Sequence, residues 1–208
     1  MLEIVSEELR CYQEKKLADY RDQNKVTKRG GIVFAGDSLV EFFPLKKAFG
    51  VELPLVNRGI AGIDSQWLLT HCEDQITDLE PEKVFLLIGC NDIGLGYDEN
   101  HIVKTIVELI NHIRSHSIYS QIYLLSLLPV SQNPDYQATV KVRTNAVINT
   151  INQELSMIPA IEFIDVNACL KDSEGGLSDE NTLDGLHLNF QAYDKLSLIH
   201  ISEPTRPL

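Results

Sequence analysis

Short runs of hydrophobic residues alternate along the chain with longer amphipathic stretches. Several of the short runs are apolar at every position, which is the pattern of a strand buried on both faces. Such strands belong to parallel sheets that are covered by helices. The runs predict five β-strands, at residues 31–35, 53–56, 83–88, 122–127 and 161–166.

The stretches between the strands predict helices at residues 2–22, 65–79, 99–116 and 136–157, and a last helix that begins near Asn189. In the 99–116 stretch, isoleucine and leucine recur every three or four residues, which gives the helix one apolar face. Alternating strands and helices are typical of a three-layer α/β/α sandwich with right-handed crossovers. We therefore predict a single α/β domain over residues 1–195, built on a five-stranded parallel sheet.

The composition is that of a globular domain with a full core, because 44% of the 208 residues are hydrophobic and 23% are charged. A formal net charge of −12 repels phosphate backbones, so nucleic acid is not an expected partner. No apolar run approaches the roughly 20 residues of a membrane-spanning helix. The charged N-terminus lacks the apolar core of a secretory signal, which predicts a cytoplasmic protein.

Metal binding and disulfide bonding are not predicted. The four cysteines lie far apart and include no C-x-x-C pair. His112 and His116 have the i, i+4 spacing of a helical metal site, but no glutamate follows His112 as it does in H-E-x-x-H. Both histidines also lie on the predicted solvent face of their helix.

The C-terminal segment is predicted to be foreign to the domain. Residues 196–206, LSLIHISEPTR, resemble the translation of a transposase adapter used in preparing DNA sequencing libraries. This resemblance implies that the native sequence ends near Lys195 and that residues 196–208 form a non-native tail. The alternative is a natural short helix that Pro204 stops.

Glycine and polar residues follow each of the first three predicted strands. Ligands bind outside the carboxyl ends of parallel strands, so chemistry is expected at these positions. Taken singly, each segment is also explained by a helix cap or a turn. The segments are Gly36-Asp37-Ser38, NRGIAGIDS at residues 57–65, and Gly89-Cys90-Asn91-Asp92.

Near the C-terminus, Asp184 precedes His187 by three residues. A carboxylate at this spacing can orient the imidazole through one ring nitrogen while the other faces a cleft, as the base in acyl transfer requires. Alone, the pair is also typical of the start of a helix. In chain order, however, the four segments offer a nucleophile, oxyanion donors and a base, and this combination indicates a hydrolase.

The combination strongly resembles the SGNH hydrolases, also called the GDSL esterase/lipase family. The sequence blocks of that family are a GDS serine, a glycine, a G-x-N-D asparagine and a D-x-x-H pair. The resemblance extends from Gly31 to about Asn189, and the NRGIAG segment resembles the branch with the platelet-activating-factor acetylhydrolase catalytic subunits and small bacterial acylesterases. This family resemblance implies a flavodoxin-like, three-layer α/β/α sandwich fold.

The resemblance also implies roles for single residues. Ser38 would be the nucleophile, and Asp184 and His187 would complete a catalytic triad. The backbone amides of Ser38 and Gly62, with the side chain of Asn91, would form the oxyanion hole.

Two details of the motifs bear on this assignment. Gly62, rather than Gly59, directly precedes the I-D-S helix start, which is the position of the family glycine. Cys90 departs from the family, where threonine or serine is commoner in G-x-N-D, but this side chain is not a motif member. An ordinary α/β-hydrolase is disfavoured, because Val40 stands where the nucleophile elbow G-x-S-x-G needs its second glycine.

Two arginines near the motifs have structural interpretations. Arg58 is expected to pair with Asp64 or Asp92, with an acidic substrate as the alternative. Arg143 lies in the predicted 136–157 helix and is expected to be a solvated charge or a cap on a nearby carboxylate.

The function that the resemblance implies is a serine esterase, which hydrolyses short acyl (acetyl-type) esters through an acyl-enzyme on Ser38 and requires no cofactor. An acetylated sugar, a small acyl ester, a lysophospholipid and a thioester all remain open as the substrate. The alternative is a noncatalytic binding or scaffold protein that retains the fold. Related proteins are often dimers, so a homodimer also remains open.

Overall fold

The computed structural model describes residues 1–197 and contains a five-stranded sheet whose neighbouring strands are all parallel. Its strands are β1 (Ile32–Gly36), β2 (Leu55–Gly59), β3 (Lys83–Leu87), β4 (Gln121–Leu125) and β5 (Glu162–Ile164). The spatial order is β2-β1-β3-β4-β5, so the chain reverses its direction of travel across the sheet between β1 and β3. This is the flavodoxin-like order, and it confirms the predicted fold class.

Helices connect the strands and cover both faces of the sheet. They are α1 (Glu7–Asn24), α2 (Ser38–Glu41), α3 (Leu45–Phe49), α4 (Ser65–Thr70), α5 (Cys72–Gln75), α6 (Cys90–Leu95), α7 (Glu99–His116), α8 (Gln137–Val140), α9 (Asn145–Leu155) and α10 (Phe190–Leu196). Single 3-10 turns lie at Thr77–Leu79, Pro134–Tyr136, Ala168–Leu170 and Asp179–Asn181.

Successive side chains of the strands enter two different cores, one on each face of the sheet. On β1, Val33 and Ala35 pack with buried residues of α1, α7 and α9, while Phe34 packs on the opposite side with α2, α3 and α10. Phe34, Phe85 and Tyr123 are paired across three adjacent strands, with ring centroids 4.5 and 4.6 Å apart. Burial on both faces is why these strands are apolar at nearly every position.

The 99–116 helix has the predicted bounds. Asp98 caps α7 by accepting a hydrogen bond from the backbone of His101 at 2.9 Å. The predicted apolar face is buried against the sheet and comprises Ile102, Ile106, Leu109, Ile110 and Ile113.

Two long predicted helices are wrong, because each is interrupted. The 65–79 stretch forms α4, α5 and a 3-10 turn, and the 136–157 stretch forms α8 and α9 with a break between them. At the second break Lys141 has a φ of 57°, and Thr144 then caps α9 by accepting a hydrogen bond from Val147 at 3.3 Å. Strand β2 begins two residues later than predicted, after Pro54, which has no backbone N–H for a sheet.

The described residues end just after α10. Leu196, the first residue of the predicted non-native tail, is the last residue of that helix and packs in the core beside it. The rest of the predicted tail lies, from residue 198 onward, outside the described residues. Among the helices of residues 1–197, none combines the length and the apolar composition of a membrane span.

Candidate active site

Ser38 lies at the carboxyl end of β1, as the first residue of α2. The chain turns sharply there because Gly36 permits a close approach: a Cβ atom at this position would lie 2.0 Å from the carbonyl oxygen of Leu87 on β3. Asp37 caps α2 by accepting a hydrogen bond from Leu39 at 2.9 Å. The segment therefore contains a helix cap, at Asp37, and also places Ser38 in the wall of a cavity.

His187 and Asp184 reach Ser38 from a loop 149 residues further along the chain. The Oγ atom of Ser38 lies 3.0 Å from Nε2 of His187, and Nδ1 of His187 lies 2.8 Å from Oδ2 of Asp184. Oδ1 of Asp184 also accepts backbone hydrogen bonds from Leu186 and His187. Each member of the Ser-His-Asp set is thus within hydrogen-bond distance of the next.

The charge on Asp184 is held in place by these contacts. Burial acts to raise the pKa of Asp184, but hydrogen bonds from the His187 ring and from two backbone N–H groups outweigh it, so the pKa lies below its usual value. An ionised Asp184 accepts a hydrogen bond from the Nδ1–H group, which leaves Nε2 of His187 as the acceptor facing Ser38.

Gly62 lies on a loop beside Ser38, with a φ of 76° that favours glycine. The loop is fixed because Glu41, at the end of α2, accepts a hydrogen bond from the backbone of Ala61 at 2.6 Å. Leu9 of α1 packs against Gly62 from below. Within residues 1–197, the backbone N–H groups of Gly62 and Ser38 have no hydrogen-bond acceptor.

Asn91 follows β3 as the second residue of α6 and is buried. Its Nδ2 donates to the carbonyl oxygen of Ile63 at 2.9 Å, and its Oδ1 accepts from Nη2 of Arg143 at 3.2 Å. Because the guanidinium can only donate, Oδ1 must face Arg143. The second hydrogen of Nδ2 is then left for the cleft.

A cavity of about 490 Å³ joins these groups. The predicted site residues Ser38, Gly62, Asn91 and His187 all line it, at the sheet edge where β1 and β3 end. Asp184 lies behind His187 and lines a neighbouring cavity of about 320 Å³. The structure thus brings all five predicted site residues together.

Arg143 makes the expected contact with a nearby carboxylate, but its place beside Asn91 was not predicted. Its side chain is fully buried rather than solvated, and its Nε donates to the carbonyl oxygen of Cys90 at 2.8 Å. Its Nη2 bonds both Asn91 and the carboxylate of Glu3, the latter at 2.5 Å. The signal that could have revealed this position is Thr144, whose capping role places Arg143 in a loop instead of a helix.

Arg58 does not pair with Asp64 or Asp92, contrary to expectation. Its guanidinium lies over the ring of Tyr20, 4.6 Å from the centroid, and donates to the side chain of Asn24. Asp64 instead caps α4, and the Asp92 carboxylate accepts hydrogen bonds from Ser65. Arg58 is therefore a packing residue near the loop that carries Gly62.

This fold and this arrangement of residues place a serine, a histidine and an aspartate together at the switch point of the sheet, where ligands bind in open α/β folds. The sequence profile of the GDSL-like Lipase/Acylhydrolase family matches residues 34–195, and the chain belongs to that family of carboxylic ester hydrolases.

Relatives and solved structures agree with the family. The chain is 31% identical over 177 residues to an N-acylneuraminate cytidylyltransferase of Escherichia coli O18:K1:H7, covering 84% of this chain but only 40% of that protein. It is 26% identical to the Homo sapiens platelet-activating factor acetylhydrolase IB subunit alpha1, over 85% of this chain and 74% of the subunit. A solved structure from Streptococcus pneumonia, described as a platelet activating factor, superposes on this chain with a TM-score of 0.87. The two sequences are 37% identical, and the match covers 91% of each chain.

Proposed function

We propose that the protein is a serine esterase that cleaves short acyl (acetyl-type) esters through an acyl-enzyme on Ser38. The observation that carries the proposal is the continuous contact from Ser38 Oγ to His187 Nε2 at 3.0 Å and from His187 Nδ1 to Asp184 at 2.8 Å. A hydroxyl is a weak nucleophile unless an adjacent base takes its proton, and a third group must orient that base.

In the proposed reaction, His187 takes the proton of Ser38 as the hydroxyl oxygen attacks the ester carbonyl carbon. The charge on the carbonyl oxygen is stabilised by the free N–H groups of Ser38 and Gly62 and by Nδ2 of Asn91. His187 then protonates the departing alcohol, which leaves the acyl group on Ser38. Water, deprotonated by His187, releases the carboxylic acid in a second step of the same kind.

The preference for a short acyl group rests on two features. The side chain of Leu9 lines the cavity beside Ser38 and lies against Gly62, so it takes up space on that side. The relatives that span most of this chain's length include acetylhydrolase subunits.

The test compares hydrolysis of p-nitrophenyl acetate with that of p-nitrophenyl octanoate. We expect a higher kcat/KM for acetate, and we expect Ser38→Ala to abolish the hydrolysis of both esters. Equal rates for Ser38→Ala and the parent would place turnover elsewhere. Absence of turnover in the parent would favour the noncatalytic binding protein, and a preference for octanoate would contradict only the short acyl group.

A further inference from the structure

The edge of the sheet opposite the active site carries a second cluster of chemically active side chains. Helix α7 runs back across the sheet, so its last turn, with His112 and His116, lies where β4 begins rather than where the strands end. Glu73 of α5 faces these histidines. None of the three lines the cavities at Ser38 and His187.

We propose that Glu73, His112 and His116 bind a divalent transition-metal ion, of which Zn²⁺ is the best match. One ligand atom from each of the three residues lies within 4.8 Å of the others. Two imidazole nitrogens and one carboxylate oxygen are a donor set that proteins use for zinc, with water in the fourth position. The sequence pattern does not reveal this site, because the third ligand comes from another helix and not from the residue after His112.

The geometry needs only a small adjustment to close around a metal ion. Nε2 of His112 lies 2.9 Å from Oε1 of Glu73, and the rings of His112 and His116 are nearly parallel, with centroids 4.2 Å apart. Zinc bonds of about 2.0–2.2 Å in a tetrahedron separate the donors by roughly 3.3–3.5 Å. The Glu73–His112 pair would open slightly, and the His116 ring would approach it.

The backbone also prepares His116 for metal binding. Nδ1 of His116 lies 2.9 Å from the carbonyl oxygen of His112. A carbonyl oxygen can only accept, so Nδ1 carries the ring proton and Nε2 has the free lone pair. This outer contact from one imidazole nitrogen to a carbonyl is the usual arrangement around a metal-bound histidine.

The expected role of the ion is structural. It would connect α5 to α7, two helices that contact each other at the edge of the sheet away from Ser38. Magnesium and calcium prefer sites made of oxygen atoms, so neither is expected to compete.

The test is a calorimetric titration of the full chain with ZnCl₂, and separately with MgCl₂. All proteins carry Cys11→Ser, because Cys11 is an exposed free cysteine that could bind zinc itself. We expect one zinc ion per chain, no binding of magnesium, and a melting temperature that rises with zinc. His112→Ala and His116→Ala should each weaken zinc binding more than tenfold, since even outer contacts of a metal site are worth about 10–100-fold.

His101→Ala is the matched control, because His101 lies on the same helix, far from the cluster. It should bind zinc like the parent. The rate of ester hydrolysis by the parent should be the same with and without saturating zinc. That result would separate the metal site from the triad. Zinc binding that persists in the His112→Ala, His116→Ala double variant, or no binding at millimolar zinc, would show that the cluster is only an ion pair between Glu73 and His112.

Discussion

At the scale of single residues, the site depends on groups whose orientation is fixed by neighbours outside the motifs. Asp184 orients His187, Arg143 fixes the direction of the Asn91 amide, and Glu41 holds the loop before Gly62. The motif positions could be predicted from the sequence, because residue type and order alone indicate them. The supporting contacts could not, since they join residues that are distant in the chain.

The first prediction concerns the Ser38–His187 pair. Ser38→Ala and His187→Ala should each reduce kcat almost to the background rate, because the two groups act in one proton transfer. The double variant should therefore be no slower than either single variant. Steady-state hydrolysis of p-nitrophenyl acetate measures all three, and losses that multiply would mean that another base serves Ser38.

The second prediction separates an oxyanion donor from a turn residue at Asn91. Asn91→Ala should lower kcat about 10²–10³-fold with little change in KM, because the bond strengthens only as charge develops on the carbonyl oxygen. Asn152→Ala is the matched control, because the Asn152 amide also accepts one hydrogen bond and donates another. Both are made with the Leu127 backbone, at 2.7 and 2.9 Å, outside the cavity. It should lose stability and keep its kcat. A normal kcat in Asn91→Ala would remove Asn91 from the mechanism.

At the scale of elements, the predictions succeed where one local pattern is uninterrupted. Helix α7 has a capping aspartate and a regular apolar stripe, and the sequence predicts both its first and its last residue correctly. The prediction of one helix over residues 136–157 fails because its apolar periodicity continues through the break, where Lys141 has a positive φ and Thr144 caps a new helix. That break matters for the site, because it turns Arg143 inward between α6 and α9.

The third prediction tests Arg143 as a positioning residue. Arg143→Lys keeps the charge opposite Glu3, but an ammonium cannot reproduce the planar set of bonds to Cys90 and Asn91. We expect a partly retained melting temperature and a kcat at least about tenfold lower, since a misdirected Asn91 amide donates poorly to the oxyanion. Arg143→Met should lower both, with a loss of stability of about 1.5–3 kcal/mol for bonds to a charged group.

Glu3→Gln is the control for Arg143. It removes the ion pair at 2.5 Å but leaves the Arg143–Asn91 bond, so stability should fall slightly while kcat stays within a few-fold of the parent. If Glu3→Gln and Arg143→Lys lower kcat equally, the effect is one of stability and not of orientation.

At the scale of the whole molecule, the sheet separates two kinds of chemistry. The proposed esterase site lies at the carboxyl ends of β1 and β3, and the proposed metal site lies at the opposite end of the sheet, near the start of β4. The sequence indicates the Ser38 site because each of its motifs follows a recognisable strand. It does not indicate the metal site, because Glu73 and His112 are 39 residues apart and meet only when α5 packs on α7.

The fourth prediction concerns the segment proposed to be a non-native tail. Residues that were never selected to pack on this domain should contribute little, so deletion of residues 198–208 should leave the free energy of unfolding nearly unchanged. Deletion from Leu196 onward should cost about 2–5 kcal/mol, because Leu196, although it is the first residue of the predicted tail, is the last residue of α10 and its side chain is buried. Urea unfolding of both truncations measures the difference, and a large loss on the shorter deletion would contradict a foreign origin.

The last prediction concerns the pH dependence of stability, to which two buried carboxyl groups contribute. Burial raises the pKa of Asp37 to about 7 and that of Asp92 to about 6. Between the ordinary pKa of an aspartate, about 3.9, and these values, the folded protein holds protons that the unfolded chain has released. The contribution of each group to stability is therefore greatest at low pH and declines as the pH rises through this window.

Asp92→Asn isolates the second group. The amide oxygen still accepts from the backbone of Ser65, where the carboxylate bond is 3.0 Å, but the side chain has no charge to bury. The melting temperature of the variant minus that of the parent should therefore increase between about pH 4 and pH 7. Asp22→Asn is the control, because Lys25 lowers the pKa of that exposed carboxylate and the difference should change slightly in the opposite direction. A difference for Asp92→Asn that stays constant across the window would mean that Asp92 remains ionised throughout and that its hydrogen bonds from Ser65 outweigh its burial.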